Sequence, residues 1–395
     1  MGSEWRKTTL GEVLTLQRGF DLPETDRRAG RFPVIASTGQ VGTHYKPMVR
    51  GPGVVIGRSG SLGGGQFIKG DFWPLNTTLW VKDFKGNNPR FCYYLLKSLD
   101  FSHFNVGSGV PTLNRNHIHP LPVVVPSDQN EQRAIAHILG TLDDKIELNR
   151  RMNQTLEEMA RALFKSWFVD FDPVCAKAVV RREHPDWSNA QVSRAACPTL
   201  KPEIAELFPD EFENSELGEI PKGWRVSRLG DIADVNWGDT NVTKSSYVNE
   251  GYLAYSAKGP DGFLSYYDYD CVGVVVSAIG ANSGFTWLAR GKWSCIKNTI
   301  RFWSIVSDIS TEYLYFATHG NNIWPLRGSA QPFISQTDAQ NLRVLHPSNG
   351  LARKFGDTIS PLFDRIDFSI HESRTLAALR DTLLPKLISG VLRVK

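Results

Sequence analysis

Trp5-Arg6-Lys7-Thr8-Thr9-Leu10-Gly11-Glu12-Val13 recurs 219 residues later as Trp224-Arg225-Val226-Ser227-Arg228-Leu229-Gly230-Asp231-Ile232. Working outward, Gly19 falls on Gly238 without a gap. Gly53-Val54-Val55-Ile56 matches Gly273-Val274-Val275-Val276 at an offset of 220, and Gly60 matches Gly280. Asn76-Thr77 falls on Asn298-Thr299 at an offset of 222. Gly107-Ser108-Gly109-Val110-Pro111 falls on Gly328-Ser329-Ala330-Gln331-Pro332 at 221. Leu121, Val123, Pro126 and Ser127 match Leu342, Val344, Pro347 and Ser348 at that same offset of 221. Landmarks in one order, with so little drift, mean that the chain is two copies of one unit.

Each copy has two parts. The first is rich in glycine, aromatics and β-branched residues. Val54–Ile56, Val274–Val276 and Val123–Val125 are short apolar runs bounded by Gly or Pro, which predicts buried strands. Phe91–Leu99 and Thr311–Thr318 predict short helices. The second part is a long helix, with Ser127 as N-cap and Asp128 and Glu131 in the first turn. Apolar residues then alternate by four and three: Ile135, Leu139, Leu142, Ile146, then Asn149 and Asn153, then Leu156, Ala160, Leu163 and Trp167. A shift of 220 gives Phe355, Ile359, Leu362, Ile366, then Ser369 and Ser373, then Leu376, Arg380, Leu383 and Leu387. This is a heptad seam with its polar pair at the same two places. It predicts that the two helices pack on each other, with Asn149 and Asn153 near Ser369 and Ser373. Two separate amphipathic helices would be the blander arrangement. Pro361 is expected near a helix start or kink, and Pro385 in a bend. Ile135 to Trp167 spans roughly 50 Å at 1.5 Å per residue, more than one turn of DNA, about 34 Å.

The chain has 395 residues, 41% of them hydrophobic. That is too many for one core and enough for two or three domains. No stretch has the length of a membrane span, and Met1–Lys7 is not followed by the apolar core of a secretion signal. The five cysteines, Cys92, Cys175, Cys197, Cys271 and Cys295, form no CxxC pair, which fits a reducing cytoplasm. Residues 1–127 carry 15 Lys and Arg against 8 Asp and Glu, compatible with a polyanionic partner. Residues 216–348 are not basic, with 11 against 12, so charge alone does not argue for two DNA-binding modules. Residues 171–222 hold several prolines and more acids than bases, the composition of a connector, with Pro202–Leu207 as a short helix.

The chemistry of an enzyme is missing from the sequence. There is no P-loop, and Gly57–Gly65 is not GxGxxG and predicts a flexible loop. His117 and His119 lack nearby ligands to complete a metal set, so no metal site is expected. No Asn/Asp-Pro-Pro-aromatic methyltransferase motif is present. Pro209-Asp210-Glu211 is not followed by the acid-x-Lys of a nuclease and suits a solvated connector.

Three stretches together carry a resemblance. They are Leu217–Trp224 with Leu229-Gly230-Asp231; Asp128–Ala136 with Leu142–Ile146 and Phe164–Phe168; and Leu383–Gly390. Over nearly the whole chain, duplication included, the sequence resembles the specificity subunit of Type I restriction–modification systems. The resemblance implies an α+β fold with two mixed α/β target-recognition domains separated by two long antiparallel coiled-coil helices. The division it suggests is a first recognition domain at 1–127, a central helix at 128–170 and an acidic connector at 171–215. A second recognition domain follows at 216–348, and a terminal helix at 349–395. It implies that each recognition domain reads one half of a split double-stranded DNA target. The paired helices would be spacer ruler and docking surface for two modification subunits. The chain would be non-catalytic. S-adenosylmethionine would be bound by the modification subunit, and ATP and Mg by a restriction subunit. The recognition loops, which vary in such proteins, leave the target bases open.

Bases are read by Arg and Lys on guanine, by Asn and Gln on adenine, and by hydroxyls on either. In the first copy the expected readers are Thr43, Tyr45, Lys46, Arg58, Ser59, Ser61, Asn76, Thr77 and Ser108. In the second they are Tyr255, Lys258, Asn282, Lys297, Asn298, Arg327 and Ser329. Each could instead be a turn held by small polar residues. Two rivals remain: a self-sufficient methyltransferase or nuclease, and a coiled-coil scaffold that binds only proteins.

Overall fold

The runs Val54–Ile56 and Val274–Val276 lie in the strands Gly53–Gly57 and Gly273–Ser277, each buried along its whole length. Both strand faces meet protein. Val54 and Ile56 enter the core under the helix Pro89–Ser98, while Val55 packs with Ile35, Val49 and Phe72. In contrast, Val123–Val125 lies in the strand Pro122–Pro126, where Val124 is exposed. The architecture is seen in a computed structural model describing residues 4–106, 109–320, 323–328 and 331–394. Ser108 and Ser329 lie outside the described residues.

The chain forms two units, Met1–Arg151 with Phe368–Lys395, and Met152–Asp367. In unit 1 a four-stranded antiparallel sheet has the order Thr15–Arg18, Thr78–Asp83, Gly53–Gly57, Gly63–Ile68. A second sheet has the order Gly39–His44, Phe32–Ala36, Trp73–Pro74, and Trp5–Thr9 pairs with Pro122–Pro126. Unit 2 repeats the plan. Its first sheet is Ala233–Trp237, Thr299–Ser304, Gly273–Ser277, Thr286–Ala289. Its second is Gly259–Leu264, Tyr252–Ser256, Lys292–Cys295, Tyr269–Asp270, and Arg225–Arg228 pairs with Arg343–His346.

The repeated residues do repeated work. A Cβ on Gly19 would lie 2.1 Å from the Leu75 carbonyl oxygen, and one on Gly238 would lie 2.7 Å from that of Ile296. Thr78 Oγ1 donates to the Leu75 carbonyl at 2.6 Å, and Thr299 Oγ1 to Ile296 at 2.6 Å. These contacts correct the alignment at one point. Thr78 corresponds to Thr299 and Thr77 to Asn298, so Asn76 corresponds to Lys297 and not to Asn298. The offset there is 221. Gly57–Gly65 is also better ordered than a flexible loop: Gly57 pairs with Gly63 across a hairpin, and Gly60 at its tip has φ 83°, as Gly280 has φ 96°.

The central helix is Gln129–Phe168 and the terminal helix Leu351–Ile388. Each unit contains half of both, and within each unit the halves pack antiparallel along the expected seam. In unit 1, Ile135 and Leu139 are fully buried with Leu384, Leu387 and Ile388. Leu142, Ile146, Leu376 and Leu383 are partly buried. Asn149, fully buried, donates through Nδ2 to Glu372 Oε2 at 2.7 Å, Ser373 Oγ at 3.2 Å and the Ser369 carbonyl at 3.4 Å. In unit 2, Leu156, Leu163 and Leu362 pack on a core holding Ile359 and Ile366. Asn153 belongs to this second unit, and its amide oxygen is buried with no hydrogen-bond partner among the described residues. The terminal helix is helical through both Pro361 and Pro385, so Pro361 lies well inside it rather than near its start. Both rings are exposed, so a carbonyl that loses its donor can turn to water.

Residues 171–215, expected as a connector with a short helix at Pro202–Leu207, fold into three helices. Helices Asp172–Glu183, Asn189–Ala196 and Pro202–Ala205 pack around Lys177, which is fully buried. Its Nζ donates to Asn189 Oδ1 at 2.8 Å, to the Ala205 carbonyl at 3.1 Å and to the Phe208 carbonyl. Pro173 and Pro202 sit in first turns, where the missing N–H costs nothing.

Arg90 ties the globular part of unit 1 to the central helix, bonding Asp144 at 2.8 Å and the Gly140 carbonyl at 3.0 Å. The Arg90 hydrogen bond, helped by Lys69, holds the Asp144 carboxyl down to about 2 against burial. A lowered carboxylate stabilises the fold above its unfolded value of 3.8, and that contribution is lost as pH falls toward 2. Urea midpoints of the wild type should therefore fall more steeply between pH 5 and 2 than those of Asp144→Asn. Parallel curves would show that the pair contributes nothing.

Candidate nucleic-acid interface

One end of the four-stranded sheet of unit 1 gathers the polar residues. Strand Gly53–Gly57 delivers Arg58, strand Thr15–Arg18 delivers Arg18, and the turn before Thr78 supplies Asn76 and Thr77. The backbone N–H groups of Arg58 and Ser59 both donate to the Thr77 carbonyl, at 2.9 and 3.1 Å. Leu113 N donates to the Arg58 carbonyl at 2.8 Å and Gly60 N to the Pro111 carbonyl at 3.0 Å, which closes the loop before helix Arg115–Ile118 over the site. The resulting groove is lined by Arg18, Arg58 and Arg115 with Val106, Thr112 and Asn114.

The side chains are held in graded ways. Arg58 Nη1 donates to the Asn76 carbonyl at 3.3 Å. Among the described residues no carboxylate pairs with Arg58. Arg18 bonds Asp21 at 3.3 Å, and Asn76 Nδ2 donates to the same Asp21 oxygen. Arg115 Nη1 donates to the Leu16 carbonyl at 3.4 Å. His119 Nε2 accepts from Leu16 N at 3.1 Å, and burial, with Arg115 and Lys85 nearby, pushes its pKa down. It is a structural acceptor. Among the described residues no cluster of His, Cys, Asp and Glu suits a metal.

Of the expected readers, Arg58, Ser59, Asn76 and Thr77 come together here, with Ser61 exposed on the adjoining hairpin. Thr43, Tyr45 and Lys46 are exposed elsewhere, at the far end of the hairpin whose turn residue Ser37 touches Thr77. Sequence reasoning missed Arg18 and Arg115. Arg18 adjoins the repeat landmark Gly19, but no local signal joined Arg115 to it.

In unit 2 the same backbone bonds recur. Ala278 N donates to the Asn298 carbonyl at 3.0 Å, Ile334 N to the Ala278 carbonyl at 2.8 Å and Gly280 N to the Pro332 carbonyl at 2.9 Å. Lys297 is exposed, Asn298 holds φ 72°, and Asn282 Nδ2 donates to the Ala257 carbonyl at 3.2 Å beside exposed Lys258. Tyr255 is not a reader. It is 4% exposed and its ring packs edge-on against Trp293, out of reach of any polyanion. Arg327 is engaged by Asp338. Burial pushes the Asp338 carboxyl up, but bonds from Ser335 and Arg327 outweigh it and hold it low.

Two copies of one α+β scaffold, with the same backbone hydrogen bonds at one end of each main sheet, define a class of internally duplicated proteins. Comparison with known proteins gives the family. Residues 2–158 match the Type I restriction modification DNA specificity domain. The chain is 24% identical over 332 residues to the MjaIX specificity subunit of Methanocaldococcus jannaschii, covering 78% of this chain and 69% of that protein. It is 27% identical over 358 residues to the HindI specificity subunit of Haemophilus influenzae, covering 76% and 77%. The crystal structure of a Type I restriction–modification S subunit from M. genitalium shares the fold, with a TM-score of 0.61, 18% identity and coverage of 98% and 96%. Residues 2–158 thus carry a Type I restriction modification DNA specificity domain, and the chain is similar to Type I specificity subunits over about three quarters of its length.

Proposed function

We propose that this chain chooses the DNA site for a Type I restriction–modification complex and catalyses nothing itself. Each unit reads one half of a split double-stranded target through its sheet-end groove. The paired helices set the unread gap and dock two modification subunits. S-adenosylmethionine is bound by the modification subunit, and ATP and Mg by the restriction subunit. The observation that carries this reading is the set of backbone hydrogen bonds at the sheet end, repeated in both units with different side chains. Such a pair suits two different short sequences. The cytoplasm is where such a complex meets its DNA, and among the described residues no helix is long and apolar enough to cross a membrane.

The test is adenine methylation by the chain co-purified with its modification subunit, mapped site by site on random-sequence DNA. A split motif with a fixed gap is expected. A single contiguous motif would mean that one module is silent. No methylation, together with no salt-dependent DNA affinity, would favour a protein-only scaffold.

A further inference from the structure

The two grooves can be compared position by position, because backbone bonds and not alignment fix the correspondence. Arg58 and Ala278 each accept at their carbonyl from the residue two after the loop proline, Leu113 and Ile334. Each donates to the carbonyl just before the repeated threonine, Thr77 and Asn298. Ser59 bridges Thr112 as Ile279 bridges Phe333. Asn114 and Ser335 cap the helices Arg115–Ile118 and Gln336–Gln340. Arg115 therefore corresponds to Gln336, and their bonds agree: Arg115 reaches the Leu16 carbonyl, and Gln336 Nε2 the Val235 carbonyl at 3.0 Å.

On this shared scaffold the charge differs completely. Unit 1 places Arg18, Arg58 and Arg115 where unit 2 has Trp237, Ala278 and Gln336. Asp21 engages Arg18. Arg58 and Arg115 have no acid among the described residues and are each tethered by one nitrogen to one carbonyl, but Arg115 makes the bond that Gln336 repeats, while Arg58 stands where unit 2 has Ala278. The rest of its planar fork is available. A guanidinium fork matches guanine O6 and N7 in the major groove, whereas an amide matches adenine. In unit 2 the amide of Gln336 is turned inward, to Val235 and to Asn236 Oδ1 at 3.3 Å.

Resting on the DNA-reading function above, we infer that Arg58 is the guanine-reading residue of unit 1, while unit 2 reads its half with no arginine at that place. The target is then asymmetric, with guanine in the half that unit 1 reads.

The experiment compares wild type, Arg58→Lys and Arg58→Ala, each with the modification subunit, by site-resolved adenine methylation. Arg58→Lys keeps the charge and loses the fork. It should stay active while preference for guanine at one position of one half falls by roughly 5- to 150-fold, the worth of one bidentate contact. The other half should be unchanged. Guanine preference kept in both variants, with methylation weakened evenly at every site, would overturn the inference and make Arg58 a phosphate contact. Loss of methylation everywhere in both variants would overturn it in favour of a structural role. A wild type without a split motif would instead bring down the two-reader function, and this inference with it.

Discussion

Phe355→Ala should destabilise unit 2 by about 3–5 kcal/mol, the usual loss for a buried Phe truncated to Ala. Phe355 is fully buried. Its ring lies 5.7 Å from Phe164, 5.9 Å from Trp167, 5.3 Å from Phe168 and 5.7 Å from Phe316, centroid to centroid. All four contacts are edge-on, the geometry in which the positive ring edge meets a negative face. Three of these partners come from the central helix, so the truncation opens a cavity inside the helix seam. Rigid aromatic neighbours cannot collapse to fill it. Urea unfolding followed by tryptophan fluorescence gives the measurement. Phe355→Leu, which refills most of the space, should cost far less. Equal costs for Ala and Leu would show that the loss comes from ring geometry and not from the void.

Arg380→Met should cost unit 1 about 3 kcal/mol, near the low end for a buried ion pair that loses one member. Arg380 Nη1 bonds Asp143 at 2.7 Å, with side chains 16% and 21% exposed. Tyr94 Oη donates to the other Asp143 oxygen at 2.6 Å. Burial, with that bond to Asp143 added, pushes the Tyr94 hydroxyl far above its ordinary range. Removing the arginine strands a carboxylate between the helices. The double variant Arg380→Met with Asp143→Asn should recover much of the loss, because no uncompensated charge remains. Additive losses in the double variant would show that the arginine and Asp143 are not coupled.

The helix seam was legible before any coordinates, because a four-three alternation has one physical meaning and recurs at a fixed shift. Arg380 shows where that legibility stops. It occupies a seam position as the counterpart of Ala160, and a charge there reads as a blemish until Asp143 and Tyr94 are found beside it. The fold of the connector was hidden for a related reason. Prolines and acids look like a breaker-rich linker, yet Pro173 and Pro202 start helices, and buried Lys177 gathers acceptors from Asn189, Ala205 and Phe208 that are distant in sequence.

The candidate site divides in the same way. Arg58, Asn76 and Thr77 could be nominated because they follow recurring strands and turns. Tyr255 could not be rejected, because its residue type serves a core and a DNA surface equally well, and only packing against Trp293 decides. Arg18 and Arg115 could not be joined to Arg58, since ninety-odd residues separate the first from the last. By itself the sequence determined the duplication, the mixed α+β content and the paired helices, all of which follow from local pattern and spacing. The tertiary structure alone decided which polar residues share a groove, which are buried, and that Asn76 corresponds to Lys297 in the repeat. Those facts depend on hydrogen bonds and contacts between segments far apart in the chain, which no local pattern encodes.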